Sequence, residues 1–285
     1  MALLGGNLRI LAMAALAALA APVPARAGEA PKRVVSMNVC TDQLAMLVAA
    51  EGQLHSVSYL AVDPGSSVLA ADTSRYAINH GLAEEVFLMQ PDLVIAGTFS
   101  TRATVGLLRR LGMRVEEFEP ENSLDDVRAN IRRMGEILDR EERAAELVAE
   151  LDAGLAGLDA ARRPDVTVAT YYANSYTSGS GTLMDAIVAA SGLTNIASRL
   201  GITGTARLPL ELLVLARPDL IVDGEGRYDT PALAQENFVH PAYRALAAES
   251  RSAEIPAKYT ICGAPFTVEA ARILQQAGSA AGTAP

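Results

Sequence analysis

Aromatic, cationic and thiol side chains of this sequence concentrate in short polar segments that follow apolar stretches. Seven of the eight tyrosines lie in such segments, and Arg102 and Arg227 lie in two of them. A tyrosine ring offers an apolar face and a hydroxyl group to a large amphiphilic molecule. A guanidinium group binds carboxylate, phosphate or catecholate oxygens. These residues therefore predict a binding cleft for a large ligand that carries anionic oxygens.

The predicted ligand-binding residues come from both halves of the chain. They are Asn38, Cys40, Tyr59, Tyr76, His80, Phe99, Arg102, Tyr172, Tyr176, Arg227, Tyr228, Tyr259 and Cys262. His80 is the sharpest candidate for a metal ligand, although a histidine more often makes an ordinary hydrogen bond. Because the chain has neither paired histidine spacing nor a Cys-x-x-Cys motif, we predict no metal site.

Cys40 and Cys262 are the two cysteines of the chain and follow predicted strands in different halves. Three arrangements are open: a disulfide across the cleft, two free thiols that contact the ligand, or two buried unpaired side chains. A disulfide would close a loop of some 220 residues, for which the chain-entropy model gives about 5 kcal/mol as an upper figure.

Motifs of nucleophilic and nucleotide-dependent enzymes are absent from the sequence. "SGSG" lacks the spacing of a Gly-x-Ser-x-Gly elbow, and neither a Walker loop nor a dinucleotide fingerprint follows the first predicted strand. Asp42, Glu225 and Asp229 could form a hydrolytic site, but no spacing pairs them. We therefore predict a binding protein without catalytic residues and without an intrinsic cofactor.

Alternating strands and helices must position the predicted ligand-binding residues. The segments "KRVVSM", "LHSVSYL", "DLVIAG", "MRVEEFE", "DVTVATYY" and "DLIVDG" are predicted strands, and the first helix is expected to begin at Thr41 or Asp42. "SRYAINH" is predicted to be a loop and "KYTIC" an extended segment. This β-α alternation predicts a mostly parallel sheet, and ligands bind beyond the carboxyl ends of such strands.

One phrase occurs twice in the chain. "EEVFLMQPDLVIAG" at 84–97 and "ELLVLARPDLIVDG" at 211–224 match at an offset of 127 residues. A second pair of similar segments, "LAMLVAAEG" at 44–52 and "MDAIVAASG" at 184–192, has an offset of 140. Each phrase predicts a helix that ends before a proline, followed by a buried strand. Two pairs of similar segments in the same order predict two related α/β halves of unequal length.

A long charged helical stretch separates the two halves. It begins at Ser123, whose spacing to Asp126 resembles a capping box, and Gly135 or the segment "LDREE" is expected to divide it. The predicted organisation is a signal peptide at 1–27, an N-terminal α/β lobe at 28–140, an inter-lobe helix at 141–163, a C-terminal α/β lobe at 164–277 and a disordered tail at 278–285.

The N-terminus has the features of a secretory signal peptide. Arg9 precedes the apolar stretch "ILAMAALAALAAPV", and the small-x-small site "ARA" ends at Ala27. The apolar stretch is too short for a stable membrane anchor. Cleavage after Ala27 removes two arginines and no acid, which changes the net charge from −9 to −11. This charge argues against nucleic acids and anionic membrane surfaces as partners.

The chain resembles the substrate-binding proteins of ABC importers for iron complexes and cobalamin over residues 31–276. The resemblance rests on "RVVSMNVCTDQLAMLVA", on the repeated phrase and on the charged helix between its copies. It implies two Rossmann-like lobes joined by a single long rigid helix, with the ligand in the cleft between them. It also implies a periplasmic monomer that binds a metal chelate and docks to a dimeric inner-membrane permease.

Ferric siderophores, cobalamin and haem are the ligands that the resemblance implies. Arginine and tyrosine outnumber the candidate axial ligands, so a ferric siderophore is the leading prediction. Cobalamin, haem and a sensor without a transporter remain the alternatives. The resemblance places permease docking on Glu84 and Glu211, with Glu85 as the alternative to Glu84. We expect these helix starts to face away from the strand-end loops.

Overall fold

A computed structural model describes residues 29–100, 102–158, 165–223 and 232–279. The predicted signal peptide at 1–27 lies outside the described residues, as do Arg227, Tyr228 and the end of the chain from residue 280. None of the helices within the described ranges combines the length and the apolar character needed to cross a membrane.

The N-terminal lobe contains a parallel sheet of five strands in the order β3-β2-β1-β4-β5. The strands are β1 (Val34–Ser36), β2 (Leu54–Ser58), β3 (Ala77–Asn79), β4 (Leu93–Gly97) and β5 (Val115–Phe118). The helices are α1 (Val39–Val48), α2 (Ala83–Leu88) and α3 (Arg102–Arg110), with 3₁₀ helices at Tyr59–Val62 and Ala70–Arg75. Because the strands are parallel, their carboxyl ends share one edge of the sheet.

The long charged stretch forms an antiparallel pair of helices, α4 (Leu124–Leu138) and α5 (Glu141–Ala156). The Ser123 side chain caps α4 by accepting the Asp126 N–H at 3.1 Å, as the capping-box spacing predicted. The break falls within "LDREE", where Asp139 has a φ of 59°. Gly135 lies inside α4, and a Cβ there would come within 2.5 Å of the Ala144 Cβ, so glycine permits the close approach of α5.

The C-terminal lobe contains a parallel sheet in the order β11-β10-β6-β8 and a separate antiparallel pair, β7 and β9. The strands are β6 (Thr167–Tyr171), β7 (Tyr176–Ser178), β8 (Thr194–Asn195), β9 (Thr205–Arg207), β10 (Leu220–Asp223) and β11 (Arg251–Ser252). The α-helices are α6 (Leu183–Ala190), α7 (Ile196–Arg199), α8 (Leu210–Ala216), α9 (Glu236–Val239), α10 (Pro241–Glu249) and α11 (Thr267–Ser279). The 3₁₀ helices are Ala173–Ser175, Leu233–Gln235 and Ala257–Tyr259. The predicted α/β class with mainly parallel sheets is confirmed.

The repeated phrase performs the same structural task in both lobes. Asp92 accepts hydrogen bonds from the backbone N–H groups of Lys32 at 2.6 Å and Arg33 at 3.0 Å, just before β1. Asp219 accepts one from the backbone N–H of Thr167 at 2.8 Å, at the start of β6. Each aspartate therefore fastens the central strand of its sheet to the neighbouring strand of the phrase.

One continuous apolar core connects the two sheets through the helix pair. The same cluster contains Val34 of β1, Ile131 of α4, Leu147 of α5 and Val168 of β6. Smaller clusters cover the outer faces of the sheets, one of them around Tyr171. Because close-packed interiors resist deformation, we infer that the lobes do not swing freely about α4 and α5. The single inter-lobe helix stays a prediction, since residues 159–164 lie outside the described chain.

Four local predictions are wrong. Helix α1 begins at Val39 rather than Thr41, because the Asn38 side chain accepts the Cys40 N–H and caps the helix there. "SRYAINH" contains β3, which pairs with β2 and places Tyr76 before a strand. "KYTIC" contains a 3₁₀ helix instead of an extended segment. Helix α11 continues through Ser279, so the predicted tail does not begin at 278.

Candidate functional site

The carboxyl edge of the N-terminal sheet presents the loops that follow four neighbouring strands. These loops carry Asn38 after β1, Tyr59 after β2, His80 after β3 and Phe99 after β4. Tyr59, His80 and Phe99 are exposed or largely exposed. Arg102 begins α3 three residues after Phe99 and is also exposed. The structure therefore brings five of the predicted binding residues to one edge.

Tyr59 and His80 stack on each other at this edge. Their ring centroids are 5.7 Å apart, with an angle of 18° between the planes. The Glu85 carboxylate accepts the His80 backbone N–H at 2.8 Å and lies 3.0 Å from its Nδ1. Hydrogen bonds from the backbone and the ring of His80 lower the pKa of Glu85. Glu85 thereby orients the His80 ring and is already engaged within the lobe.

The structure joins Cys40 and Cys262 in a disulfide with a Cα–Cα distance of 5.0 Å. It links the first turn of α1 to the segment between the last 3₁₀ helix and α11. Gly263 is packed against the N-terminal lobe as well, because its backbone N–H donates to the Glu121 carboxylate at 3.3 Å. Cys262 is buried. Of the three arrangements that the sequence leaves open, the structure has the covalent one.

A cavity of about 110 Å³ lies beside the disulfide. Its lining includes Asn38, Cys40, Phe99, Phe118 and Glu119 from the N-terminal lobe and Ile261 from the C-terminal lobe. Thr98 Oγ1 donates to the Glu119 carboxylate at 2.9 Å, which holds that side chain at the end of β5. The cavity therefore has apolar walls with a few oriented polar groups, the composition typical of a small-molecule site.

Tyr176 of the C-terminal lobe is paired with an arginine that the sequence did not single out. Antiparallel pairing of β7 and β9 sets Tyr176 opposite Arg207, and the guanidinium carbon lies 5.8 Å from the ring centroid. Asn174 and Ser175 have φ angles of 56° and 61°, a costly backbone conformation that turns the chain sharply before Tyr176. The pair presents an aromatic face and a cation together.

The carboxyl ends of both sheets lie toward the disulfide junction. The chain that leaves β11 at Ser252 runs through the last 3₁₀ helix to Cys262. Cys262 is bonded to Cys40, just beyond the end of β1. The Tyr172 N–H donates to the Tyr176 carbonyl at 2.8 Å, which holds Tyr176 close to the end of β6. Residues of both lobes therefore line the cavity beside the disulfide, and the Tyr176–Arg207 pair lies near the carboxyl end of β6 in the C-terminal lobe.

Three predicted binding tyrosines are not brought into this group. Tyr76 precedes β3 and shares a groove with Leu54, at the amino edge of the N-terminal sheet. Tyr172 is largely enclosed, and burial raises the pKa of its hydroxyl, which bonds to Ser178. Tyr259 shares a groove with Glu150 and Arg272, between α5 and α11.

Tyr76 and Tyr259 lie outside the group of binding residues for a common physical reason. A tyrosine near a strand resembles a binding residue in sequence, but strand pairing and helix packing decide which way it points. Tyr76 lies at the wrong end of β3, and Tyr259 packs against the continuous core. No local pattern distinguishes either of them from Tyr59.

Asp42 is a buried acid behind the candidate cleft. Its carboxylate accepts the Ser58 hydroxyl at 2.5 Å and the Ser58 backbone N–H at 3.1 Å, at the end of β2 next to Tyr59. Burial raises the pKa of Asp42 to about 7, although hydrogen bonds from Ser36 and Ser58 oppose the shift. Asp42 therefore has a positioning role in the loop that carries Tyr59.

Glu84 and Glu211 are exposed in the first turns of α2 and α8. The expectation that these helix starts face away from the strand-end loops is wrong for α2. Helix α2 begins four residues after the end of β3, and Glu85 beside Glu84 bonds to His80 of the strand-end loop. The start of α2 therefore lies at the carboxyl edge of the sheet, near the rim of the cleft.

Within residues 29–100, 102–158, 165–223 and 232–279, no cluster of three or more His, Cys, Asp or Glu side chains could hold a metal ion. Two α/β lobes with a cleft at their strand ends define a binding protein of the two-lobed class. Residues 34–252 match the family model described as periplasmic binding protein, and the chain belongs to this family.

A cobalamin-binding protein from Halobacterium salinarum is 28% identical over 205 residues, which cover 68% of this chain and 54% of that protein. The chain thus spans about half the length of the curated relatives it matches.

Two solved structures illustrate the shared fold. The periplasmic haem-binding protein RhuT from Roseiflexus sp. RS-1 has a TM-score of 0.69 and 22% identity, and the match covers 88% of this chain and 98% of that one. The periplasmic vitamin B12 binding protein BtuF of Vibrio cholerae has a TM-score of 0.66 and 18% identity, over 89% and 99% of the two chains. At these identities the likeness extends to the fold alone.

Proposed function

We propose that the protein is the periplasmic solute-binding component of an ABC importer. It captures a metal chelate between its lobes and delivers the chelate to a dimeric inner-membrane permease. The observation that carries this proposal is the cleft itself. Tyr59, His80 and Phe99 lie at the carboxyl edge of one sheet, and the Tyr176–Arg207 pair lies near the carboxyl end of β6 in the other lobe. Membership of the periplasmic binding protein family supports the same role.

A ferric siderophore is the ligand class that the residues favour. Arg102 and Arg207 are exposed cations that suit catecholate or carboxylate oxygens, and the tyrosine rings suit the apolar faces of a chelate. Haem iron needs an axial ligand. Both cysteines are in a disulfide, so an axial ligand would have to be Tyr59 or the Nε2 of His80, whose Nδ1 is engaged by Glu85, and haem is a third candidate. Cobalamin is the second candidate, because the Halobacterium salinarum relative is a cobalamin-binding protein.

Titration of the purified protein tests the ligand class. The chain contains no tryptophan, so tyrosine fluorescence is the natural signal. We expect a ferric catecholate or ferric hydroxamate to quench this fluorescence at micromolar concentration. Saturable binding of cyanocobalamin alone would favour the second candidate. A Soret shift with haemin alone would indicate haem, and no binding of any of the four probes would contradict the proposal.

Arg207→Ala tests the C-terminal wall of the cleft. We expect an affinity loss of about tenfold, since a charge-assisted hydrogen bond contributes roughly 1.5 kcal/mol or more. Arg244→Ala is the matched control, because Arg244 is an exposed arginine on α10. Equal affinities of the two variants would remove Arg207 from the site.

Export and transport are tested in cells. The proposed mature protein begins at Gly28, so its intact mass in the periplasmic fraction should lack residues 1–27. Deletion of the gene should abolish uptake of the bound chelate in a strain that uses it, and the plasmid-borne gene should restore uptake. Normal uptake in the deletion strain would favour a sensor without a transporter.

A further inference from the structure

The two copies of the repeated phrase expose the same apolar side chain. Leu88 of α2 and Leu215 of α8 are matched at the offset of 127 residues, and 79% of Leu88 and 78% of Leu215 are exposed. Each leucine lies four residues after the glutamate of its helix, Glu84 or Glu211. Residues four apart lie on the same face of a helix. Each lobe therefore presents one carboxylate and one leucine side by side.

The leucines have no part in the cores of the lobes. The residues that anchor these helices are Val86 and Leu213, which are also matched at the offset of 127 and are fully buried. Two further apolar residues of these helices, Phe87 and Leu212, are exposed as well. A single exposed leucine needs no explanation, but two matched helices that each expose two apolar side chains beside a carboxylate indicate an interaction site.

A partner that binds both surfaces must offer two equivalent binding sites. Matched patches on two related lobes fit a dimeric partner, since its symmetry repeats every pocket and every charge. The carboxylates of Glu84 and Glu211 have no ion-pair partner in the described part of the chain, so they are available to cations of the partner. Two other occupants fit less well. Anionic lipid would be repelled by a chain of net charge −9, and a second copy would set glutamate against glutamate.

We propose that Leu88 and Leu215 insert into two equivalent apolar pockets of the two permease subunits, beside the cations that bind Glu84 and Glu211. This inference rests on the proposed transport function. The two residue types contribute differently. Exposed ion pairs add little affinity but steer association, whereas buried leucines add affinity and slow dissociation. The leucines therefore hold the complex together and the glutamates set its orientation.

Binding to the importer tests the leucines directly. The probe is the permease–ATPase complex with which the protein supports uptake, reconstituted in lipid nanodiscs, and the readout is association and dissociation by surface plasmon resonance. Leu88→Ser and Leu215→Ser should each lower the affinity about 10-fold, since burying a leucine is worth roughly that much. The double variant should lower it about 100-fold, mainly through faster dissociation.

Exposed leucines elsewhere provide matched controls. Leu111 and Leu200 are 48% and 43% exposed, one in each lobe and outside the repeated phrase. Leu233, at 85%, matches the exposure of Leu88 and Leu215. Serine at these three positions should leave importer binding within about twofold of wild type, because the side chains lie outside the repeated helices. Titration with the ferric catecholate or ferric hydroxamate probe should be unchanged in every variant, which verifies that each one is folded.

The outcomes separate this inference from the transport proposal. If the wild type binds the importer and the Leu88→Ser, Leu215→Ser variant binds equally well, the leucine pockets are refuted while transport stands. If the wild type does not bind the importer, both proposals fail. Binding of the wild type to empty nanodiscs, lost in the double variant, would show a membrane contact instead. Self-association lost in that variant during sedimentation would assign the surface to a second copy.

Discussion

The two repeated units of the molecule agree in their scaffold and differ in their cleft surfaces. Both have a buried anchor in the helix, a left-handed residue before the proline, and an aspartate that fastens the central strand. Gln90 and Arg217, with φ angles of 50° and 45°, occupy the left-handed position. The cleft surfaces have no such match. The N-terminal edge carries the Tyr59–His80 stack, whereas the C-terminal lobe carries the Tyr176–Arg207 pair.

This difference separates two tasks. Under the proposed transport function, the repeated surfaces would meet a symmetric partner and the unrepeated surfaces an asymmetric ligand. Glu85 shows the division within a single helix. It bonds to His80 in the N-terminal lobe, while the equivalent residue in the C-terminal lobe is Leu212, which is exposed. We infer that Glu85 serves the N-terminal lobe itself, whereas Leu212 at the equivalent position belongs to the exposed apolar surface of α8.

Loss of the disulfide has the largest expected effect, since this bond ties the start of α1 in one lobe to a segment of the other. Cys40→Ser with Cys262→Ser should lower the free energy of unfolding by roughly 3–5 kcal/mol, because the closed loop is long. Urea denaturation measures the loss. The reduced wild type is the control and should lose a similar amount. Full stability of both would show that the packing of α4 and α5 alone holds the lobes together.

Asp42 should give stability a pH dependence that originates in the N-terminal lobe alone. The position 140 residues further on is Thr182, which cannot titrate. The folded-state pKa of Asp42 is raised from 3.8 to about 7, so between these pH values the folded protein holds a proton that the unfolded chain has lost. Its contribution to stability is therefore complete below about pH 4 and is lost as pH rises to 7, by at most about 1.4 kcal/mol per pH unit.

Asp42→Asn tests this dependence. The amide oxygen can still accept the Ser58 hydrogen bonds, but the side chain no longer titrates. Urea denaturation at pH 4.5, 6.0 and 7.5 should give a stability difference between variant and wild type that grows in favour of the variant as pH rises. A constant difference across this range would show that Asp42 stays ionised in the folded protein.

The proposed docking through α2 and α8 predicts equal effects of charge reversal in the two helices. Glu84→Lys and Glu211→Lys should each weaken importer binding, and the double variant should lose about 3 kcal/mol or more, since repulsion replaces attraction at two sites. Ligand affinity should change little, because Glu85 and not Glu84 bonds to His80. A loss confined to one single variant would show that the two sites are not equivalent, and a loss of ligand binding would place Glu84 in the cleft.

Removal of the aspartates that fasten the central strands has the smallest expected effect, and it tests whether both lobes use them in the same way. Asp92→Ala and Asp219→Ala should each cost about 1 kcal/mol of unfolding free energy, the usual value of a hydrogen bond from an accessible group. Asp165→Ala is the control, because this exposed aspartate lies just before β6 but outside the phrase. Thermal unfolding measures all three. Unequal losses at Asp92 and Asp219 would mean that the copies of the phrase have diverged in their structural task.

Sequence patterns were sufficient for most of the fold. Val34, Val94 and Ile221 lie in strands because runs of β-branched and apolar residues suit a sheet that is covered on both faces. Ser123 caps α4 as its spacing predicted. In contrast, Asn38 was not identified as the cap of α1, since Thr41 and Asp42 are equally good caps by type. Competing candidates of the same kind cannot be ranked without coordinates.

The candidate cleft was less predictable than the fold. Tyr59, His80 and Phe99 were selected by their position after strands, and the structure places them together. Arg207 was missed because the pairing of β7 with β9 joins residues some thirty positions apart. No sequence pattern near Arg207 indicates this pairing. Arg227 and Tyr228 stay predictions, as does the role of Glu84 and Glu211 in docking.

Local physics therefore explains what the sequence alone determined. Apolar periodicity, caps, prolines and the repeated phrase specify strands, helices and two related lobes, because each of these preferences acts over a few residues. Tertiary structure decided which cysteine bonds to Cys40 and at which edge of the sheet Tyr76 lies. It also decided that Asp42 is buried and that Tyr176 contacts Arg207. Those properties depend on contacts between segments that are distant in sequence. These segments reach a single packed arrangement once the whole core has formed.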